Sequence, residues 1–167
     1  GALTLLVVYL FGLTLWTFVL LLVLYSLIVL SVIDLQTMTI PDRFSIGLAI
    51  VGLAVSFINP IYSGSLFHKF LISLLGASVG FFGLWLTAII GQLIFKKEAL
   101  GGGDIKLMAG IGALSGVQGV ICSLIIASFA GIIYYGILML LKKSPEDRAI
   151  PFGPFLSVGL FVNLLVP

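Results

Sequence analysis

Charge is what this sequence has least of. Its 167 residues include eight Lys and Arg, six Asp and Glu and one His, so 8% of the chain is charged against 61% hydrophobic. Soluble domains carry about 25% charged residues, and so sparse a set of ionisable groups cannot cover a globule of this size in water. A mean hydropathy of +1.34 fits a chain whose solvent is the bilayer. The net charge of +2 is small and unclustered, which excludes the basic footprint of a nucleic-acid binder. Cysteine is nearly missing too. Cys122 stands alone in an apolar run, so there is no internal disulfide and no CxxC pair for zinc or redox chemistry, and Cys122 reads as a small apolar residue. No G-x-x-x-x-G-K-[ST] phosphate loop is present. No basic segment precedes the first apolar run, which argues against a signal peptide. Position 1 is Gly, so the chain is expected to be processed or a piece of something longer.

What is abundant is uninterrupted apolar sequence. Residues 1–33, 44–67, 70–95, 107–141 and 149–167 contain no Asp, Glu, Lys or Arg. A spanning helix needs about 20 apolar residues, and in hydrocarbon a helix satisfies its own backbone groups. The expected fold is therefore all-α: one membrane-embedded domain over 1–167, a polytopic transmembrane bundle of about six helices, one of them short or re-entrant. Gly12 and Thr14 predict a break, with Gly12 closing a helix over 1–11 and Thr14 opening the next, 14–33. Asp42 is expected to cap a helix running to Phe57, before Asn59-Pro60 and a polar turn at 62–65. Another helix covers 67–95. Gly101-Gly102-Gly103 reads as a stretch without helix propensity. Residues 105–114 then form a short helix of about 15 Å, broken at Ser115-Gly116 ahead of a span over 117–141. A last apolar segment follows Pro151-Phe152-Gly153-Pro154. The spacings Gly76-x-x-x-Gly80 and Gly112-x-x-x-Gly116 predict close helix packing.

Basic residues orient the bundle. Placing the loop at 34–43 in the cytosol puts Arg43, Lys96, Lys97, Lys106, Lys142, Lys143 and Arg148 inside, and only Lys69 outside, the bias of cytoplasmic loops. All the acidic residues, Asp34, Asp42, Glu98, Asp104, Glu146 and Asp147, then fall inside as well. The sole histidine, His68, lies at the opposite face, which disfavours a Ser/His pair with them.

Asp34 is placed against local rules. It follows thirty-three uncharged residues at a helix C-terminus, where the macrodipole and nearby lipid both disfavour a carboxylate; a residue so placed is a candidate functional site. Asp104 follows three glycines that let the backbone approach a partner closely. Two carboxyls meeting at the membrane edge cannot both ionise easily and hold one proton between them. One can activate water and the other protonate a peptide carbonyl oxygen, with no covalent intermediate or metal. The competing structural readings are an ion pair of Asp34 with Arg43 or Lys106, a plain helix cap at Asp104, and a solvated loop for Glu146 and Asp147. Glu98 is either surface or an attractor of a basic substrate.

At these residues the sequence resembles a known family. Ile33-Asp34-Leu35-Gln36-Thr37-Met38-Thr39-Ile40-Pro41-Asp42 looks like the first signature of bacterial type IV prepilin peptidases. Glu98 to Leu107, with Gly101-Gly102-Gly103-Asp104, resembles their second, the GxGD motif of membrane aspartic proteases, and Ile150-Pro151-Phe152-Gly153-Pro154-Phe155-Leu156 a third. The resemblance implies an aspartic endopeptidase of the bacterial inner membrane with its site facing the cytoplasm. It would cleave the basic leader from prepilins or type II secretion pseudopilins, after a Gly and ahead of an apolar helix. It puts the catalytic aspartates on Asp34 and Asp104. Substrate contacts are expected from Glu98, Asp42, Gly101, Gly102, Gly103 and Lys106, with no metal or cofactor for proteolysis and no nucleic-acid partner. Long members add an N-terminal cytoplasmic region that often binds zinc, and they also methylate the product; this chain is expected to be part of such a longer enzyme or else a naturally short member, and zinc and S-adenosylmethionine are expected only for such a region. A related preflagellin-type peptidase, or an ion-coupled transporter with the aspartates as ion ligands, are the alternatives.

Overall fold

The computed structural model describes residues 1–96, 100–141 and 151–165. Among these the chain folds into six α-helices, one 3₁₀ turn and no strand. Helix α1 covers Ala2–Phe11, α2 Leu15–Thr37, α3 Asp42–Val55, α4 Leu66–Phe95, α5 Gly102–Leu140 and α6 Gly153–Leu165, with the 3₁₀ turn Ser56–Ile58 closing α3. Three of them, over Leu15–Thr37, Leu66–Ile94 and Gly102–Leu140, are long and apolar enough to cross a membrane. Large apolar side chains such as Leu93, Phe129 and Ile132 face outward. That surface suits hydrocarbon, whose solvent properties match those of a Leu side chain.

The first break falls where the sequence predicts it. Gly12 takes φ 66° at the end of α1, and the Thr14 hydroxyl accepts from the Thr17 N–H at 3.2 Å to open α2. The exit of α2 differs from the expected one. The helix continues past residue 33 to Thr37 and ends at Met38 in the left-handed region, φ 53°, so Asp34 lies inside the last turn. The Thr37 hydroxyl donates to the Ile33 carbonyl at 2.8 Å in that last turn. Asp42 is the first residue of α3 and not its cap; Pro41 occupies that place, as its fixed φ and missing N–H allow.

Helix α5 is the hub, touching α3, α4 and α6. It is broken at Gly116, whose φ of 70° and ψ of −173° are non-helical. The half-helix before the break starts at Gly102, not at 105, and residues 102–115 make about 20 Å at 1.5 Å per residue. From Leu107 to Ser115 only Ala109 is not fully buried. Backbones meet closely on both sides of it. A Cβ on Gly112 would strike the Gly76 carbonyl, one on Gly76 would strike the Gly112 carbonyl, and one on Gly80 would strike the Met108 carbonyl. The two small-residue spacings read from the sequence therefore pack on one another. On the α3 side a Cβ on Gly52 would lie 2.7 Å from the Ala113 Cβ.

A helix broken within a bundle leaves carbonyls that must find donors. Ala113 O accepts from the Tyr62 hydroxyl at 2.9 Å and from the Ser73 hydroxyl at 2.6 Å, and Leu114 O accepts from Asn59 Nδ2 at 2.8 Å. Burial pushes the Tyr62 phenol above its ordinary value, so it remains a proton donor. Lys69 Nζ donates to the Asn59 carbonyl at 3.2 Å, setting a positive charge near the negative end of the half-helix.

Gly112→Ala should therefore cost about 1–3 kcal/mol through overpacking. Gly83, in α4 with nothing near a prospective Cβ, should accept Ala with a change of at most about 1 kcal/mol, in the stabilising direction. Thermal unfolding of both variants in detergent checks the contrast; equal midpoints would refute the packing account.

Candidate active site

Two helix ends and one loop build a pocket of about 210 Å³ lined by Asp34, Met38, Thr39, Ile40, Gly101, Gly102, Gly103 and Asp104. The last turn of α2 supplies Asp34, the connection to α3 supplies residues 38–40, and the start of α5 supplies 101–104. The left-handed turn at Met38 sends the chain back across the opening, which brings Ile40 against Gly103. A Cβ on Gly103 would sit 2.7 Å from the Ile40 Cβ and 3.1 Å from its carbonyl oxygen. Gly102 faces open space, and a Cβ on Gly101 would meet the Asp104 Oδ2 at 3.1 Å. The motif thus needs glycine at 103 for contact, sits tight against the Asp104 carboxyl at 101, and is free at 102. Gly102 and Gly103 are helical, so the low propensity of glycine yields here to tertiary contact.

Asp34 is buried, with 4% of its surface exposed. Its Oδ2 accepts a hydrogen bond from the Gly153 N–H at 3.0 Å. Gly153 is the first residue of α6, so the carboxyl that opposes the α2 dipole lies on the positive end of α6. Asp104 is the third residue of α5, and Gly101 is the cap, so Asp104 is not a plain N-cap. Its backbone N–H donates to the Gly101 carbonyl at 3.1 Å, while its Oδ1 is buried and has no hydrogen-bond partner among the described residues. Both residues line the same pocket.

Other candidates stand apart. Lys106 Nζ pairs with Asp42 Oδ2 at 2.7 Å, with both side chains partly exposed, and neither lines the pocket. That pair removes Lys106 as a partner for Asp34. Glu98 lies outside the described residues, as do Glu146 and Asp147. Among the described residues no three His, Cys, Asp or Glu side chains gather as a metal site. Sequence reasoning assigned no role to Met38, Thr39, Ile40 or Gly153. The Pro-Phe-Gly-Pro stretch was a signal for Gly153, but its target, 119 residues away, was not.

The sequence profile of the Type IV leader peptidase family matches residues 21–136. The chain belongs to the type IV leader peptidase family. Curated proteins named prepilin leader peptidase/N-methyltransferase are similar to it. Those from Stutzerimonas stutzeri, Pectobacterium carotovorum subsp. carotovorum and Pseudomonas aeruginosa are 32%, 34% and 31% identical over 145, 148 and 155 residues. These alignments take in 87%, 89% and 93% of this chain and 48%, 50% and 51% of the relatives. The leader-peptidase chain thus spans about half the length of the curated relatives it matches. No solved structure matches it.

In this leader-peptidase fold, Gly103→Ala should lower stability by about 1–3 kcal/mol because the Ile40 backbone cannot retreat freely. Gly102→Ala should leave it within about 1 kcal/mol. Denaturant titration in detergent micelles reads both, and a larger loss at 102 than at 103 would contradict the contact.

Proposed function

We propose that this chain is the protease portion of an intramembrane aspartic endopeptidase that removes the basic leader from type IV prepilins or type II secretion pseudopilins. Asp34 and Asp104 act as a dyad at the cytoplasmic face of the bacterial inner membrane. The observation that carries the proposal is the shared pocket: one carboxyl accepts a main-chain N–H, the other presents an oxygen with no partner among the described residues, and both line the same cavity. Family membership supports the peptidase class, and the names of the relatives support a prepilin substrate.

In this mechanism the pair holds one proton. The ionised carboxyl takes a proton from water as the water oxygen attacks the scissile carbonyl carbon. The protonated carboxyl passes its proton to the carbonyl oxygen, giving a neutral tetrahedral diol. The diol then collapses: the C–N bond breaks, the amine leaves with the proton held by the first carboxyl, and a hydroxyl proton returns to the second. Proteolysis requires no metal or cofactor in this scheme, and no residue of this chain is given a part in methylation. The glycines at 101–103 leave room for a substrate backbone beside Asp104. Glu98 is proposed to attract the basic leader by charge, and Asp42 and Lys106 to flank its path outside the pocket.

Asp34→Asn and Asp104→Asn should each lower kcat by at least about a hundredfold with insertion and folding intact, and Asp147→Asn should change little. Cleavage of a purified prepilin in detergent by the full-length protein measures this, and full activity in either pocket variant defeats the mechanism. Glu98→Lys should raise KM several-fold at low salt, with the effect fading as salt rises; a KM equal to that of the parent would remove Glu98 from substrate capture.

A further inference from the structure

Three stretches far apart in sequence meet at one side chain. Ile40 is wedged between the two glycines that serve the aspartates. A Cβ on Gly103, the residue before Asp104, would lie 2.7 Å from the Ile40 Cβ. A Cβ on Gly153, whose N–H binds Asp34, would lie 3.0 Å from the Ile40 Cδ1 and 2.8 Å from the Asp34 Oδ2. Ile40 also packs against the buried core cluster, so it cannot drift from between them without cost. Pro154 has no N–H of its own, which leaves the Gly153 amide to hold Asp34 at the start of α6.

We propose that Gly153 and Ile40 are positioning residues that brace the two carboxyls. The Gly153 amide fixes the Asp34 carboxyl as hydrogen-bond acceptor, and the Ile40 side chain sets the separation between the strip carrying Asp34 and the strip carrying Asp104. The brace rests on the aspartic-dyad function proposed above and adds to it a physical role for the Pro-Phe-Gly-Pro stretch. It also makes the pair unequal. Asp34 Oδ2 is committed to a main-chain donor, whereas Asp104 Oδ1 has no such donor among the described residues, and in the proposed dyad it is the oxygen that carries the shared proton to the substrate. Neither Gly153 nor Ile40 enters the chemistry. Displacement of reacting groups by about 1 Å costs on the order of a hundredfold in rate, so a brace of this kind acts on kcat.

The test uses the full-length protein in detergent with a purified prepilin as substrate. Gly153→Ala puts a methyl against Asp34 and should lower kcat by at least about tenfold with KM changed less than about twofold. Adding Ile40→Val removes Cδ1 and relieves the other contact of that methyl. The double variant should stay slow, because the clash with Asp34 persists. Thermal midpoints give a readout independent of turnover. The drop caused by Gly153→Ala should shrink when Asp34→Ala has removed the carboxyl, and this second comparison stands even if the single variant accumulates poorly. Unchanged kcat in Gly153→Ala, recovery of kcat on adding Ile40→Val, or an equal midpoint drop with and without the Asp34 carboxyl would each overturn the brace. Should Asp34→Asn still cleave prepilin, the dyad function fails, while the midpoint comparison continues to judge the contact between Gly153 and Asp34 on its own.

Discussion

A half-helix that stops inside the bundle is the constraint on which the rest depends. Residues 102–115 end at Gly116, and Asn59, Tyr62 and Ser73 bring donors to the last carbonyls before the break. Unmet carbonyls in hydrocarbon cost several kcal/mol each. The loop after α3 and the second turn of α4 are thereby tied to the far end of the segment whose near end carries Asp104. Small residues on α3 and α4 complete the arrangement. With no side chain at Gly76, Gly80 or Gly112, main chain meets main chain, and the half-helix has one seat.

The opposite end of that seat is polar for a different reason. Two carboxyls are held out of water by elements that each supply a single compensating feature. α6 offers Asp34 one amide and the favourable end of its dipole. α5 accepts Asp104 in its own first turn, where a carboxylate suits the dipole. Asp104 Oδ1 is left without a partner among the described residues, which is unusual for a buried polar atom; in the proposed function a substrate supplies the missing contact. Under the proposed dyad, chemistry and bundle packing share residues: Ile40 packs against the core cluster, and the same side chain lies between the glycines beside the aspartates.

Much of this was legible in the residues. The uncharged blocks gave the helices, Gly12 with Thr14 gave the first break, and Ser115-Gly116 gave the second, because glycine and cap residues act over a few positions. Two helix ends fall elsewhere. α2 runs beyond 33 and α5 starts before 105; at α5 the contact of Ile40 with Gly103 accompanies a first turn that glycine propensity alone disfavours. Asp42 looked like a cap by type, yet the proline before it took that place and its charge went to Lys106.

What the sequence alone determined was the solvent, the helical class, the breaks and the two carboxyls worth attention, since hydropathy, capping and charge placement are local quantities. What only the tertiary structure decided was which groups touch them. That the amide of Gly153 closes on Asp34, and that Ile40 stands between two glycines sixty and more positions downstream, depends on how α2, α5 and α6 are packed. No periodicity within any one of these segments records a contact made with another.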